Sequence, residues 1–356
     1  MSIITIVGAG LMGTAVAWPL ADNRHEVRLV GTHLDADIIG SCLEQHYHPR
    51  LRRTLPDGVQ PYYIEQVAEA LDGADAIVSG VNSLGVHWIG RTLAPLLWPG
   101  ATVIAVTKGL ETDPDGALHI LPDVLRAELP ASLRDRVSLA AIGGPCIAGE
   151  LAGRRPTCVV FASRDEAALE KLRPIFTTHY YHIWLSTDLV GVEVCAALKN
   201  AYTLAVGLAG GMLERAGGVD DAGAAMHNLA AALFGVSAAE MTRLVALIGG
   251  RPEKVTGLPG VGDQYVTCVG GRTIRLGNLL GRGLTYPQAV NEMAGETLEG
   301  AYVVRQLAQA LPVWETRGLI GPQELPLLRM LCRIITEEAP AVIPFDSFFD
   351  PLFRIP

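Results

Sequence analysis

Five residues, Ile3-Ile4-Thr5-Ile6-Val7, run directly into Gly8-Ala9-Gly10-Leu11-Met12-Gly13, and a helical pattern follows over residues 14–22. Few folds admit that order. A buried strand, a glycine turn and a helix open a doubly wound α/β sheet that binds a dinucleotide. Gly8 permits the tight turn, Gly10 lets a pyrophosphate approach the backbone, and Gly13 lets helix and strand pack closely. The first helical amides, from Leu11 and Met12, then face the phosphates.

Apolar runs recur over Glu26–Val30 and residues 76–81, 102–106, 137–142 and 157–161, separated by helical patterns. Continuous Val/Ile/Ala strands alternating with helices predict a parallel sheet covered on both faces. From about Thr187 the character changes to alanine- and leucine-rich helical patterns over residues 189–213, 222–248 and 298–310. We therefore expect a Rossmann domain over residues 1–187 and an all-helical substrate and dimerisation domain over residues 188–356, in keeping with the length of 356 residues. A Pro/Phe-rich tail begins near residue 339. Its rings, Phe345, Phe348, Phe349 and Phe353, are too apolar for a free end and predict docking on the body or on a partner.

The net charge of −9 argues against nucleic-acid binding, because no global positive field is present to displace phosphate counterions. Six dispersed cysteines without a C-x-x-C pair fit the reduced thiols of a cytoplasmic protein. The N-terminus lacks the basic segment of a signal peptide, and the apolar stretch 201–212 is too short to cross a bilayer, so no membrane span is expected. His46, His48, His179 and His182 have no neighbouring carboxylates or cysteines, and no metal site is predicted.

The stretch from Ser186 to Asn200 is apolar for most of its course and ends on Lys199 beside Asn200. A lysine in apolar surroundings loses hydration of its charged form and moves toward the range useful for proton transfer; alternatively it snorkels from a helix end to solvent. The second strand ends on Gly31-Thr32-His33-Leu34-Asp35 with no acid at its tip. An acid there would hold the ribose 2′-hydroxyl of NADH, whereas His33 suits a 2′-phosphate. The cofactor is NADPH or NADH, with NADPH favoured.

Five segments in order carry a resemblance. They are Gly8 to Gly13, Thr107-Lys108-Gly109, Gly144-Pro145-Cys146-Ile147-Ala148, Ser186 to Asn200, and Gly260-Val261-Gly262-Asp263 running on to Thr267-Cys268-Val269-Gly270-Gly271-Arg272-Thr273. Over roughly residues 3–310 the chain resembles the NAD(P)-dependent glycerol-3-phosphate dehydrogenases, which reduce dihydroxyacetone phosphate to glycerol 3-phosphate in an active site between a Rossmann and a helical domain. The resemblance implies that Lys199 is the catalytic lysine, that Lys108 touches cofactor and substrate, and that Asp263 orients Lys199. It implies that Arg272 grips the substrate phosphate and also meets the cofactor. Gly144, Cys146 and Gly271 would line the pocket, with Asn200, Thr267 and Thr273 on the substrate side. Ala148 and Glu299, together with His33, would be cofactor contacts.

The departures bear on the substrate. Cys146-Ile147 stand where the family has Ser-Phe, Thr273 where it has Asn, and Asn82 where it has Pro. The segments at Asn228 to Leu233 and Phe234-Gly235-Val236 lose a Lys and an Arg. Proton-transfer residues stay while pocket-shaping ones drift, as in a divergent paralogue. The substrate is a small phosphorylated compound, glycerol 3-phosphate or a related polyol. Reduction of a ketopantoate-like hydroxy acid, or a non-catalytic nicotinamide-binding sensor, stand as alternatives. Gly207, Gly211 and Ala230-Ala231-Ala232 allow close helix approach and predict a homodimer through the helical domain.

Overall fold

The computed structural model describes residues 1–345 and residue 348; Phe349 and Phe353 of the tail lie outside them. Eight strands form one sheet: β1 (Ile3–Val7), β2 (Glu26–Val30), β3 (Val59–Tyr62), β4 (Ala76–Ser79), β5 (Thr102–Ala105), β6 (Ser138–Gly143), β7 (Thr157–Ser163) and β8 (Tyr181–Ser186). Their order is β8-β7-β6-β5-β4-β1-β2-β3, so the first six follow the 3-2-1-4-5-6 arrangement of a dinucleotide-binding sheet. Ile4 and Ile6 bury against one covering layer and Val7 against the other, which is why these strands read as unbroken apolar runs.

One pairing departs from the expected parallel sheet. β7 runs antiparallel to β6, and every other neighbouring pair is parallel. The only helix between β6 and β7 is Ala148–Ala152, five residues long. At about 1.5 Å per residue it cannot carry the chain back along a six-residue strand, so β7 pairs in the opposite direction. The strands that the sequence did not announce, β3 and β8, are the two sheet edges. β3 contains Pro61, which an edge tolerates. β8 alternates buried Tyr181 and Ile183 with exposed His182 and Trp184.

Contacts divide the chain into two compact units, Met1–Lys108 with Ile120–Glu193, and Gly109–His119 with Val194–Pro356. The hairpin Leu110–Thr112/Leu118–Ile120 is fixed by two 2.7 Å hydrogen bonds, from the Thr112 amide to Gln306 Oε1 and from Thr112 Oγ1 to the Gln306 carbonyl. The second unit is built on the helices Leu189–Arg215, His227–Leu247, Glu299–Thr316 and Pro326–Thr336. The second of these starts later than the sequence pattern, at His227, because Gly223 adopts φ +85° and breaks the helical course.

The apolar stretch 201–212 is not an isolated twelve-residue segment. It belongs to the C-terminal half of a 27-residue helix, long enough by length and composition to cross a bilayer, of whose apolar window 94% is buried within the protein. His227–Leu247 is also that long and apolar, but only 33% of its window is buried. Buried Glu240 ties these helices together: its carboxylate accepts from Tyr202 Oη (2.8 Å) and from the amides of Leu327 (2.7 Å) and Leu328 (2.9 Å), capping Pro326–Thr336. Burial pushes Glu240 up to about 7 despite those donors. In the tail, Phe348 is buried against its own chain while Phe345 is half exposed.

Gly207 and Gly211 meet the chain's own helix Arg272–Gly281, not a partner as expected. A Cβ at Gly277 would run into the Leu204 carbonyl and come within 3.0 Å of Gly207 Cα; one at Gly281 would run into the Leu208 carbonyl. Helix propensity favours alanine over glycine by about 1 kcal/mol, whereas overpacking two touching backbones costs roughly 1–3 kcal/mol. Gly277→Ala should therefore destabilise the protein by up to about 2 kcal/mol net in chemical denaturation. A stabilised variant would show that these helices have room to separate.

Candidate active site

In the first unit the three glycines of the opening turn serve different ends. Gly8 sits at φ +117°, and a Cβ there would lie 2.7 Å from the Gly80 carbonyl carbon. A Cβ at Gly13 would strike the Gly8 carbonyl and come 3.0 Å from Gly80 Cα. These two are glycine because the protein's own backbone requires it. Gly10 has φ −71°, and the nearest atom to its missing Cβ is 3.7 Å away. Nothing inside the protein demands glycine there, so the vacant space faces outward, where a pyrophosphate would approach. The residues present fit a nicotinamide dinucleotide. Leu11 is exposed and Met12 partly buried at the start of the following helix. That helix is interrupted at Val16, where Pro19 lacks the amide that would bond to Ala15.

Sequence reasoning passed over two supports of this turn. Gly80, ending β4, is the surface against which Gly8 and Gly13 pack, and its signal was a glycine directly after a buried strand. His48 is fully buried, with Nδ1 accepting from the Leu51 amide (3.0 Å) and Nε2 therefore donating to the Ala9 carbonyl (2.9 Å). Both ring nitrogens are engaged, and burial depresses its basicity. The histidine pair at 46 and 48 that hinted at metal thus contains a clamp on the glycine turn.

At the tip of β2, Asp35 is turned inward. Its Oδ2 accepts from the Thr32 amide (2.9 Å), Thr32 Oγ1 (2.7 Å) and the Ala9 amide (3.3 Å). His33 is exposed and stands edge-on to Trp88 at 5.1 Å. Asn82, the departure after β4, accepts from the Gly85 amide at 3.1 Å and so starts the turn Ser83–Gly85. Lys108 is partly buried, and its Nζ donates to the Gly144 carbonyl at 3.3 Å, bringing two of the expected residues together. Cys146 packs against the sheet core, and Ala148 opens the helix Ala148–Ala152.

In the second unit Lys199 does not snorkel. It is buried, with Nζ 2.9 Å from Asp263 Oδ1 and donating to Thr267 Oγ1 at 2.7 Å. The Thr267 hydroxyl in turn donates to the Asp263 carbonyl (2.7 Å), which aims its lone pairs at the ammonium. A buried cation is thus charge-compensated and fixed from two directions. Asn200 is buried beside it, and its Nδ2 has no hydrogen-bond partner among the described residues. Gln264, next to Asp263, is buried with neither amide atom partnered among them.

Arg272 is exposed as the first residue of Arg272–Gly281, which begins after Gly270 and Gly271; neither glycine has any atom within 4 Å of where a Cβ would stand. Open space, helix amides and a guanidinium meet at that end. Gly300 joins three site segments: a Cβ there would lie 2.5 Å from the Asn200 carbonyl and 3.0 Å from Thr273 Cγ2, and Glu299 precedes it at the start of Glu299–Thr316.

The different reasons for glycine at positions 10 and 13 can be separated. Gly10→Ala should weaken NADPH binding at least tenfold in a fluorescence titration while leaving the melting temperature unchanged. Gly13→Ala should destabilise the fold by the roughly 1–3 kcal/mol of an overpacked site and so lower the melting temperature itself. Equal affinity in Gly10→Ala and wild type would remove the dinucleotide from that space.

Comparison with known proteins identifies the family. The N-terminus of NAD-dependent glycerol-3-phosphate dehydrogenase matches residues 3–169, and the C-terminus of the same family matches residues 188–343. An NADP(+)-dependent glycerol-3-phosphate dehydrogenase of Archaeoglobus fulgidus is 36% identical over 82% of this chain and 83% of its own length. A glycerol-3-phosphate dehydrogenase [NAD(P)+] of Bacillus subtilis is 33% identical over 87% and 85%. The crystal structure of glycerol-3-phosphate dehydrogenase from Coxiella burnetii superposes with a TM-score of 0.80 at 28% identity, covering 99% of both chains. With its glycine turn and its buried lysine–aspartate pair, this chain belongs to the NAD-dependent glycerol-3-phosphate dehydrogenase family.

Proposed function

We propose that this chain reduces dihydroxyacetone phosphate to glycerol 3-phosphate, accepting NADPH at least as well as NADH. The observation that carries the reading is the buried Lys199 ammonium held by Asp263 and Thr267. When bound, the reduced nicotinamide supplies the hydride. Lys199 gives a proton from Nζ to the carbonyl oxygen, and its positive charge stabilises the alkoxide that forms. Asp263 and Thr267 fix the direction of that proton. Asn200, whose amide nitrogen has no partner among the described residues, donates to a substrate oxygen. Arg272 and the amides after Gly271 hold the phosphate, for which a planar guanidinium is suited. Lys108, with Gly144 and Cys146, adds positive potential where cofactor and substrate meet. Ala148 and Glu299 border the cofactor, and Thr273 shapes the substrate side.

The NADPH preference is supported by β2 ending without an outward acid. Asp35 is occupied by Thr32 and Ala9, and the exposed side chain at that tip is His33. Residues 1–187 then serve the cofactor and residues 188–356 the substrate and assembly. The enzyme is water-soluble and cytoplasmic, with its long apolar helices serving as core and subunit contact and not as membrane spans.

Steady-state assays with dihydroxyacetone phosphate and each reduced cofactor test the activity. Turnover is expected with both, with kcat/KM for NADPH equal to or above that for NADH, and Lys199→Ala should lower kcat by about a hundredfold or more at unchanged NADPH affinity. Absence of turnover with either cofactor would overturn the substrate, and an active Lys199→Ala enzyme would overturn the proton donor.

The reading includes a homodimer. Its support is the incompletely covered helix His227–Leu247, apolar along its length and carrying Ala230-Ala231-Ala232 on its open side. Light scattering should give twice the 37.9 kDa chain mass, and Phe234→Glu on that helix should return a monomer. A wild-type monomer rejects the dimer.

A further inference from the structure

On the helix Leu189–Arg215, six residues before Lys199, Glu193 has no solvent exposure, and neither of its carboxyl oxygens has a hydrogen-bond partner among the described residues. An apolar side chain of similar size would fill the same volume without leaving two acceptors unsatisfied. Among the described residues, the charges that act on it most are Lys108 and Asp123. Lys108, on the loop after β5, favours the carboxylate, and Asp123, on the helix Leu121–Glu128, opposes it. Asp123 is itself held by Arg164, whose Nη2 donates to Oδ2 at 2.8 Å. Lys108 is thus the cation that Glu193 answers to. Its Nζ is already directed to the Gly144 carbonyl.

We propose that Glu193 sets the net charge of the Lys108 site and through it the affinity for anionic ligands. This rests on the reading of Lys108 as a contact of cofactor and substrate. With the carboxyl protonated, the lysine ammonium presents a full positive charge to the phosphates. When one proton leaves to solvent, the pair falls from +1 to 0, whichever of the two groups releases it. Burial pushes Glu193 up to about 8, with Lys108 pulling it partly back, so the neutral acid is the form present at neutral pH. Anion affinity therefore weakens as pH rises through that region. The same shift has a stability consequence of fixed sign. A folded acid that holds its proton more tightly than the unfolded chain stabilises fully below its ordinary value of 4.5, and that contribution is lost as pH rises toward 8.

The test measures KM for dihydroxyacetone phosphate and Kd for NADPH from pH 7 to 9, in phosphate-free buffer, for wild type, Glu193→Gln and Lys108→Ala. This window lies above the second ionisation of a phosphate monoester, about 6, so the substrate charge is constant. Wild type should show both constants rising on the order of tenfold. Glu193→Gln, neutral at every pH, should show a flat response, with the effect falling on KM and Kd and not on kcat. Its melting temperature should also lose part of the decline that wild type shows between pH 5 and 8. If the glutamine variant fails to fold, Glu193→Met carries the same expectation of a flat response. Glu193 variants that track the wild-type curve, while Lys108→Ala weakens both ligands, overturn this inference alone. An unchanged Lys108→Ala overturns the reading of Lys108 and this inference with it. A change confined to melting temperature reduces Glu193 to a structural group and rejects the proposal.

Discussion

The near-complete burial of the helix Leu189–Arg215 governs the helical unit. A helix with 94% of its apolar window inside the protein draws partners for several of its polar side chains from the protein around it, while Glu193 and the Asn200 amide nitrogen have none among the described residues. Tyr202 finds Glu240, which in turn caps Pro326–Thr336. Thr203 folds back onto the Lys199 carbonyl, and Lys199 finds Asp263 and Thr267. On the face bearing Gly207 and Gly211 there is no side chain to satisfy, and the backbone of Arg272–Gly281 lies directly against it. The placement of Asp263, Thr267 and the helix bearing Arg272 follows from what this one buried helix requires.

The pair it organises is poor value as a stabiliser. Taking an ammonium and a carboxylate out of water costs about as much as their attraction returns, so a buried ion pair is weak evidence for stability. Its consequence is geometric. The lysine is short of solvent, held from two sides at 2.9 and 2.7 Å, and lies beside Asn200, whose amide nitrogen has no protein partner among the described residues. Such an arrangement makes sense where a further polar group, the substrate, completes it.

The central strands were legible because both faces are buried, so the chain spells them as continuous apolar residues. The edges β3 and β8 were not, because one side faces solvent and their residues include Pro61, His182 and Trp184. The antiparallel turn of β7 depends on the length of a five-residue connecting helix, a geometric fact that no local pattern carries. In the site, the residue types at Lys199, Asp263 and Thr267 could be read in sequence, and the structure brings them together. His48 and Gly300 could not be read, since each acts on a segment remote in sequence, the carbonyl of Ala9 and the carbonyl of Asn200, whereas Gly80 carried only the weak signal of a glycine after a buried strand. The glycine stripe at Gly207 and Gly211 was read correctly as a site of close approach and assigned to the wrong neighbour, because spacing specifies proximity without specifying the partner.

A distinction between what the chain requires and what a ligand requires runs through the molecule. Gly13 is glycine because Gly8 and Gly80 leave no room, and Gly10 is glycine although the protein leaves room. Glu240 is a buried acid with three donors around it, and Glu193 is a buried acid with none among the described residues. In each pair the first member is explained by the fold, and the second remains physically costly unless something outside the fold accounts for it. In the proposed reading, a vacant Cβ position and an unsatisfied carboxyl lie on the two sides of the same chemistry, the backbone that would approach the dinucleotide phosphates and the lysine assigned to meet their charge. Gly10 and Glu193 therefore fit one class of ligand, a phosphorylated anion, and they do so independently of the lysine–aspartate pair to which we assign the proton transfer.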